Sequence, residues 1–184
     1  MATPTTLPAS FTAGQVLTAA QMNALRGAFR VLQVVSTTKT DTFSASVASG
    51  ANTAITGLSV SITPSSASSQ ILVFCNANGS VELDTGVLIT LFRGATAIGV
   101  GASPGSRQAV TSALGSPAST DFILSTTAVL LDSPATTSAT TYSANISHQS
   151  GITRTVYVNR SSSDTNASAN ARAISTITVM EISA

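Results

Sequence analysis

From about residue 31 onward, apolar residues alternate with hydroxyl residues in short runs, and the alternation has the period of two expected of strands. Leu58, Val60 and Ile62 share one parity, as do Ile71, Val73 and Cys75, so one face of each segment should meet a core. Runs rich in Val, Ile and Thr are separated by clusters of Ser, Gly, Asn and Pro. This pattern predicts strands at 31-36, 42-48, 54-62, 70-76, 86-93, 96-101, 121-131, 139-147, 153-159 and 173-182. Arg93-Gly94-Ala95-Thr96 reads as a hairpin turn, and Asp132-Ser133-Pro134 should end the preceding strand because proline has no N–H to give a ladder. No helical crossover pattern separates the strands. The expected fold is therefore all-β, an antiparallel, jelly-roll-like β-sandwich. In the last segment Ile177 and Val179 have one parity, Met180 and Ile182 the other. A strand apolar on both faces is either central in the sandwich or covered by a neighbouring subunit.

The first 32 residues read differently. Pro4 and Pro8 bias the residues before them away from the helical region, so residues 1 to 16 predict an extended arm. A short helix should follow, with Thr18 as its cap, Gln21 completing a Thr-x-x-Gln capping box, and Leu17 stapled onto Met22. Its apolar positions, Met22, Leu25, Phe29 and Leu32, are spaced like a coiled-coil seam. About two turns cannot hold such a coil alone. The stripe should therefore pack on its own domain, at an oligomer axis or on a larger assembly. Residues 1-32 are assigned as an anchor and oligomerisation segment, and 33-184 as the β-sandwich domain. The Ser/Thr/Ala stretches 102-120 and 160-172 read as loops, and they carry Arg107, Arg160, Asp164 and Arg172. Loops on a rigid sandwich are where recognition usually resides.

Composition narrows the functions. Of 184 residues, 8 are Lys or Arg and 7 are Asp or Glu, so 8% are charged, against about 25% in an ordinary soluble domain. Ser and Thr supply 29 and 28 positions. Disordered chains combine low hydrophobicity with high net charge, whereas here the net charge is +1 and 43% of residues are hydrophobic. Phosphate backbones require clustered cations, so nucleic acid is not an expected partner of one Lys and seven scattered Arg. No apolar run approaches the roughly 20 residues of a membrane-spanning helix, and the N-terminus has no secretory pattern. Membrane insertion is not expected. The lone Cys75 lies in an apolar run and should be a buried, inert thiol.

Candidate chemistry is sparse. Gly101-Ala102-Ser103-Pro104-Gly105 fits a G-x-S-x-G elbow, and Asp121 or Asp132 followed by His148 has the matching triad order. The elbow's oxyanion hole needs the N–H of the residue after the serine, and here that residue is Pro104, which has none. One His and one Cys cannot build a zinc site within a chain, although three copies of His148 could meet at a trimer axis. Glu82, Asp84, Asp121, Asp132 and Asp164 have no calcium-loop spacing. No catalytic, cofactor-binding or metal residue is assigned, and the chain is read as a non-enzyme.

Phe11-Thr-Ala-Gly-Gln-Val-Leu-Thr-Ala-Ala-Gln-Met-Asn-Ala-Leu25 resembles the F-x-A-G-x-V-L-T-A-A-x-M-N opening of small virion structural proteins of tailed bacteriophages. Gly57 to Ser66, Leu131 to Tyr142, Val158 to Ser161 and Ser175 to Ile182 are similar to the same group. The resemblance implies a β-sandwich surface protein of the virion, assembled in the host cytoplasm and commonly trimeric, whose N-terminal segment attaches to the particle. It implies no catalytic residues and no cofactor. On this basis the expected function is a small homotrimeric appendage of tail-fibre or receptor-binding type, with a capsid decoration (cement) protein on the head lattice as the alternative. Expected partners are further copies of itself, other virion proteins through residues 1-32, and a host surface glycan at the loops. Leu7, Phe11 and Leu17 are the expected anchors, and Met22, Leu25 and Phe29 the expected oligomer contacts.

Overall fold

The computed structural model describes residues 13–14, 16–22, 31–82, 85–102 and 105–183. Among the described residues eleven strands form two antiparallel sheets packed face to face as a sandwich. The six-stranded sheet contains β1 (Val31–Lys39), β2 (Phe43–Val47), β4 (Gln70–Val81), β8 (Leu124–Asp132), β10 (Arg154–Val158) and β11 (Ser175–Ile182). The five-stranded sheet contains β3 (Thr53–Ile62), β5 (Val87–Arg93), β6 (Thr96–Ile98), β7 (Ser112–Gly115) and β9 (Thr140–His148).

The alternation seen in the sequence sets which side chains meet between the sheets. Leu58, Val60 and Ile62 of β3, Ile71, Val73 and Cys75 of β4, and Ile177 and Val179 of β11 are all buried in one core with Leu91, Tyr142 and Val156. In β3 the register to β9 shifts between Ala54 and Ser59, where Gly57 adopts φ 83°. A residue with a Cβ would be strained there, so glycine permits the bulge.

The registers reveal three interrupted strands. Along one edge of β4, β11 pairs with residues 70 to 76 and β10 with residues 79 to 81, while β8 occupies the opposite edge. Thus β10 and β11 lie end to end, and β2 and β1 continue one another beside them. In the other sheet β6 and β7 lie end to end along β5. Two of the interruptions are bridged by long connections, residues 159–174 between β10 and β11 and 99–111 between β6 and β7.

Both gaps are sealed by hydrogen bonds that replace the missing ladder. Thr111 donates its N–H to Ile89 O (3.0 Å) and its hydroxyl to Ile98 O (3.0 Å), and accepts from Leu91 N–H (2.9 Å). At the other gap Asn159, fully buried at φ 61°, donates Nδ2 to Lys39 O and Asp41 O at 2.9 Å each and accepts from Ser175 Oγ at 2.7 Å. Its backbone N–H reaches Asn78 O, and its carbonyl accepts from Ala173. One side chain therefore holds β1, β2, β10 and β11 in line. Asn tolerates the left-handed conformation better than most residues.

Several boundaries differ from the sequence reading. The stretch 102-120, expected to be a loop throughout, contains β7; its four residues are too short to show alternation. β4 runs to Val81 rather than 76, because Asn76, Asn78 and Ser80 take outward positions while Ala77 and Val81 point inward. Asn, Gly and Ser there resemble a turn by composition. At the N-terminus the capping box forms: Gln21 N–H donates to Thr18 Oγ1 (3.2 Å), and Thr18 N–H donates to Gln21 Oε1 (2.9 Å). Residues 19–22 are helical, but Leu32 belongs to β1 and not to the helix stripe.

Candidate functional site

The residues weighed as candidate chemistry are built into the scaffold. His148, 1% exposed, ends β9. Its Nδ1 accepts from Ser150 N–H (3.1 Å), which leaves Nε2 to donate to Val47 O (2.8 Å). A side chain so enclosed is not open to a metal shared between copies, the possibility raised by the sequence. Burial pushes the Cys75 thiol up to about 12, so it stays protonated and inert, as its apolar setting predicts.

Asp132 is held at 2.8 Å from Arg93 Nη1 by both oxygens, and its Oδ2 accepts from Tyr142 Oη at 2.7 Å. This joins β8 of one sheet to β5 and β9 of the other. Burial raises the Tyr142 pKa, and the Asp132 carboxylate adds to the rise. Asp132 is therefore a tie between sheets, and Asp121 accepts from Ser163 Oγ; neither faces His148 among the hydrogen bonds described. Ser103 and Pro104 of the elbow motif, and Asp84, lie outside the described residues. Gly101 and Gly105 flank a connection between β6 and β7, not a strand-turn-helix. Among the described residues no group of three or more His, Cys, Asp or Glu is arranged to hold a metal, and no helix is long and apolar enough to cross a membrane.

The loop charges are used to brace the loops. Asp164 pairs with Arg172 Nη2 (2.8 Å) and Arg160 Nε (3.3 Å), while the Arg160 guanidinium lies 4.7 Å from the centre of the Tyr157 ring. Ser162 Oγ and Ser163 N–H donate to Thr120 O, so the 159–174 excursion is tied to the segment that leads into β8. Each loop borders a hollow. One of about 400 Å³ is lined by Leu88, Arg107, Gln108 and Gln149 among others, and one of about 340 Å³ by Asp164, Asn166, Asn170 and Arg172 among others. Neither lining includes an aromatic ring.

Of the anchor and oligomer residues, Leu17 and Met22 are 44% and 49% exposed, while Leu7, Phe11, Leu25 and Phe29 lie outside the described residues. The largest unexpected feature is on the outer face of the six-stranded sheet. Pairing places Val34, Met180, Leu72 and Leu131 in one row across β1, β11, β4 and β8. The next row is Ser36, Thr178, Phe74 and Val129, and the third is Thr38, Thr176, Asn76 and Thr127. No charged residue stands in these three rows. Val34, Val129 and Leu131 are 54%, 56% and 48% exposed. On the opposite sheet, the outward positions of β3 and β9 are Ala54, Thr56, Ser59, Ser61, Thr141, Ser143 and Asn145, a face of the polar kind that water solvates. The signal for the apolar face was partly present in Met180 and Ile182; the matching residues of β4 and β8 became visible only once strand order was known.

No protein-family model matches the chain, and a search of curated proteins finds no significant match.

Proposed function

We propose that this chain is a non-enzymatic structural protein of a tailed-phage virion, a small homotrimeric surface appendage of tail-fibre or receptor-binding type. The observation that carries the reading is the open apolar face of the six-stranded sheet. Exposed apolar patches beyond a few hundred Å² are uncommon on soluble monomers and mark contact surfaces, and Val34, Val129 and Leu131 stand about half exposed on this face. Strand order supports the jelly-roll form of the fold. When β1/β2, β6/β7 and β10/β11 are each taken as one interrupted strand, the sheets run β1/β2, β10/β11, β4, β8 and β3, β9, β5, β6/β7. Successive strands then cross between sheets everywhere except at the β5–β6 hairpin, the wrap of an eight-stranded jelly roll. That architecture occurs in viral capsid and lectin domains. The phage-like opening segment gives residues 1-32 their role as the attachment to other virion proteins.

A capsid decoration protein is the second reading, and the linings of the two hollows favour it. Sugar-binding surfaces commonly use aromatic faces, and these hollows have none.

None of the core residues described lies in the first 17 positions. Deleting residues 1–17 should leave the sandwich folded, with an unchanged β-sheet circular dichroism spectrum, and reduce incorporation into particles at least tenfold in a complementation assay. Normal incorporation of the truncated protein would refute the anchor assignment.

A further inference from the structure

We propose that Glu181 is an acid-sensitive latch on the N-terminal half of β1: protonating its carboxyl frees residues 31–35 from the sandwich while the rest of the fold stays closed. At this point residues 1–30 join the domain.

Glu181 is fully buried near the end of β11, on the inward parity it shares with Ile177 and Val179. Its neighbour across the ladder is Gln33 of β1. Gln33 gives both N–H groups of its side-chain amide here, one to Glu181 Oε2 (2.6 Å) and one to Thr63 O (2.7 Å). The other carboxylate oxygen accepts the Ser65 N–H (2.7 Å) and hydroxyl (2.6 Å). One buried carboxylate thus ties the edge strand of one sheet to the connection that follows β3 of the other.

Little else holds this half-strand. Among the described strands β1 pairs only with β11, and the register shifts between Val31 and Gln33, which breaks the ladder beside the latch. Val31, Leu32 and Val34 are 47%, 41% and 54% exposed, leaving Gln33 and Val35 as the partly buried positions. Segments with few buried apolar contacts open locally, without the rest of the molecule. The far half of β1 is held by other means: Asn159 Nδ2 donates to Lys39 O, and Ser36 Oγ meets Thr178 Oγ1 at 2.7 Å.

The bonds at the latch require the ionised form, because a proton on the carboxyl would stand where Gln33 or Ser65 already donates. Burial works against ionisation, but the bonds led by Ser65 and Gln33 outweigh it and bring the carboxyl down to about 2 from 4.5. Opening lets water reach the group and its affinity for a proton rises, so acid favours the open form. Of the residues that meet Glu181, Gln33 from β1, Ser65 from the connection and Ile71 from β4, none titrates. Lys39 and Asp41 lie at the other end of β1 and pair with each other at 2.7 Å. Between pH 7 and pH 3 the opening constant of residues 31–35 should rise at least about fivefold, and roughly 30-fold if the ordinary value of 4.5 is fully regained.

Hydrogen exchange of the full chain, read by mass spectrometry at pH 7 and pH 3 with and without dilute urea, tests this. Peptides covering 31–35 should lose protection by that factor in acid, with almost no urea dependence, because a local opening exposes little surface. Peptides from β5 and β9 should stay at least about tenfold better protected at both pH values. In Glu181→Gln, residues 31–35 should keep the same protection at both pH values. Should that variant fail to fold, Gln33→Leu cuts the tie from the β1 side: protection of 31–35 should fall about tenfold at pH 7, the loss of a hydrogen bond to a charged group, and the acid response should disappear. Asp41→Asn removes the carboxylate just past β1 and should keep the wild-type response. Exchange of 31–35 that follows β5 and β9 at every pH and urea concentration would overturn the proposal. So would an acid response that persists in Glu181→Gln or Gln33→Leu, or one that vanishes in Asp41→Asn.

Discussion

Replacing Asn159 with Ala should lower stability by about 4 kcal/mol. The amide donates to two buried backbone carbonyls and accepts from the Ser175 hydroxyl. Removing it strands three polar groups, at roughly 1 kcal/mol each. Ala at φ 61° adds about 1 kcal/mol of left-handed strain. At ~2–4 °C per kcal/mol for a domain of this size, the melting temperature should fall by roughly 10 °C. Asn159→Gly removes the strain but not the lost bonds, so it should recover about 1 kcal/mol of the deficit. Asn159→Asp should be worse than Ala, because a carboxylate would face the carbonyls of Lys39 and Asp41. Thermal melts of the three variants check the order, and a melt of Asn159→Ala within 2 °C of wild type, on the order of the effect of 1 kcal/mol, would contradict the role assigned to this residue.

Glu181 should make the fold sensitive to acid. Its side chain is fully buried in β11, where Oε1 accepts from Ser65 N–H (2.7 Å) and Ser65 Oγ (2.6 Å), and Oε2 from Gln33 Nε2 (2.6 Å). Burial alone would raise its pKa, but the hydrogen bonds led by Ser65 Oγ and Gln33 outweigh it and bring the carboxyl down to about 2 from the ordinary 4.5. The folded state therefore favours the ionised form. The contribution is fully present above the unfolded value and is lost as pH falls from about 4.5 towards 2. It amounts to on the order of 3 kcal/mol. Urea midpoints should drop across that window in wild type. In Glu181→Gln, which has no charge to lose, stability should be lower at neutral pH and the acid-dependent drop should be smaller. Parallel pH profiles for the two proteins would show that Glu181 is not the responsible group.

Strand existence was legible because alternation is a local property: Leu58, Val60 and Ile62 announce one buried face whatever pairs with them. Strand continuity was not. Nothing in the sequence says that β10 and β11 share one line, since that depends on the register each adopts against β4. Asn159, which makes the junction, reads locally as a loop residue. The Thr18–Gln21 box was legible because its hydrogen bonds span three residues. The apolar face was legible only in part. β4 carries Leu72 and Phe74 between Ile71, Val73 and Cys75, and β8 carries Val129 and Leu131 beside Ala128 and Leu130. Strands apolar at both parities are the common signal, but their alignment into rows belongs to the assembled sheet.

The Arg160, Asp164 and Arg172 group also shows how structure changes a reading. In sequence they are charges on a candidate recognition loop; in the fold they brace that loop against itself and against Tyr157. What the fold leaves uncharged instead is the outer face of the six-stranded sheet, where Val34, Val129 and Leu131 are about half exposed.

The central claim is that this chain is a structural part of a phage particle, and the most direct measurement is gold-tagged antibody labelling of intact virions viewed by electron microscopy. The account predicts label on the particles, concentrated on the tail for an appendage and spread over the head for a decoration protein. Particles that carry no label, with the protein found only in the host lysate, would contradict it.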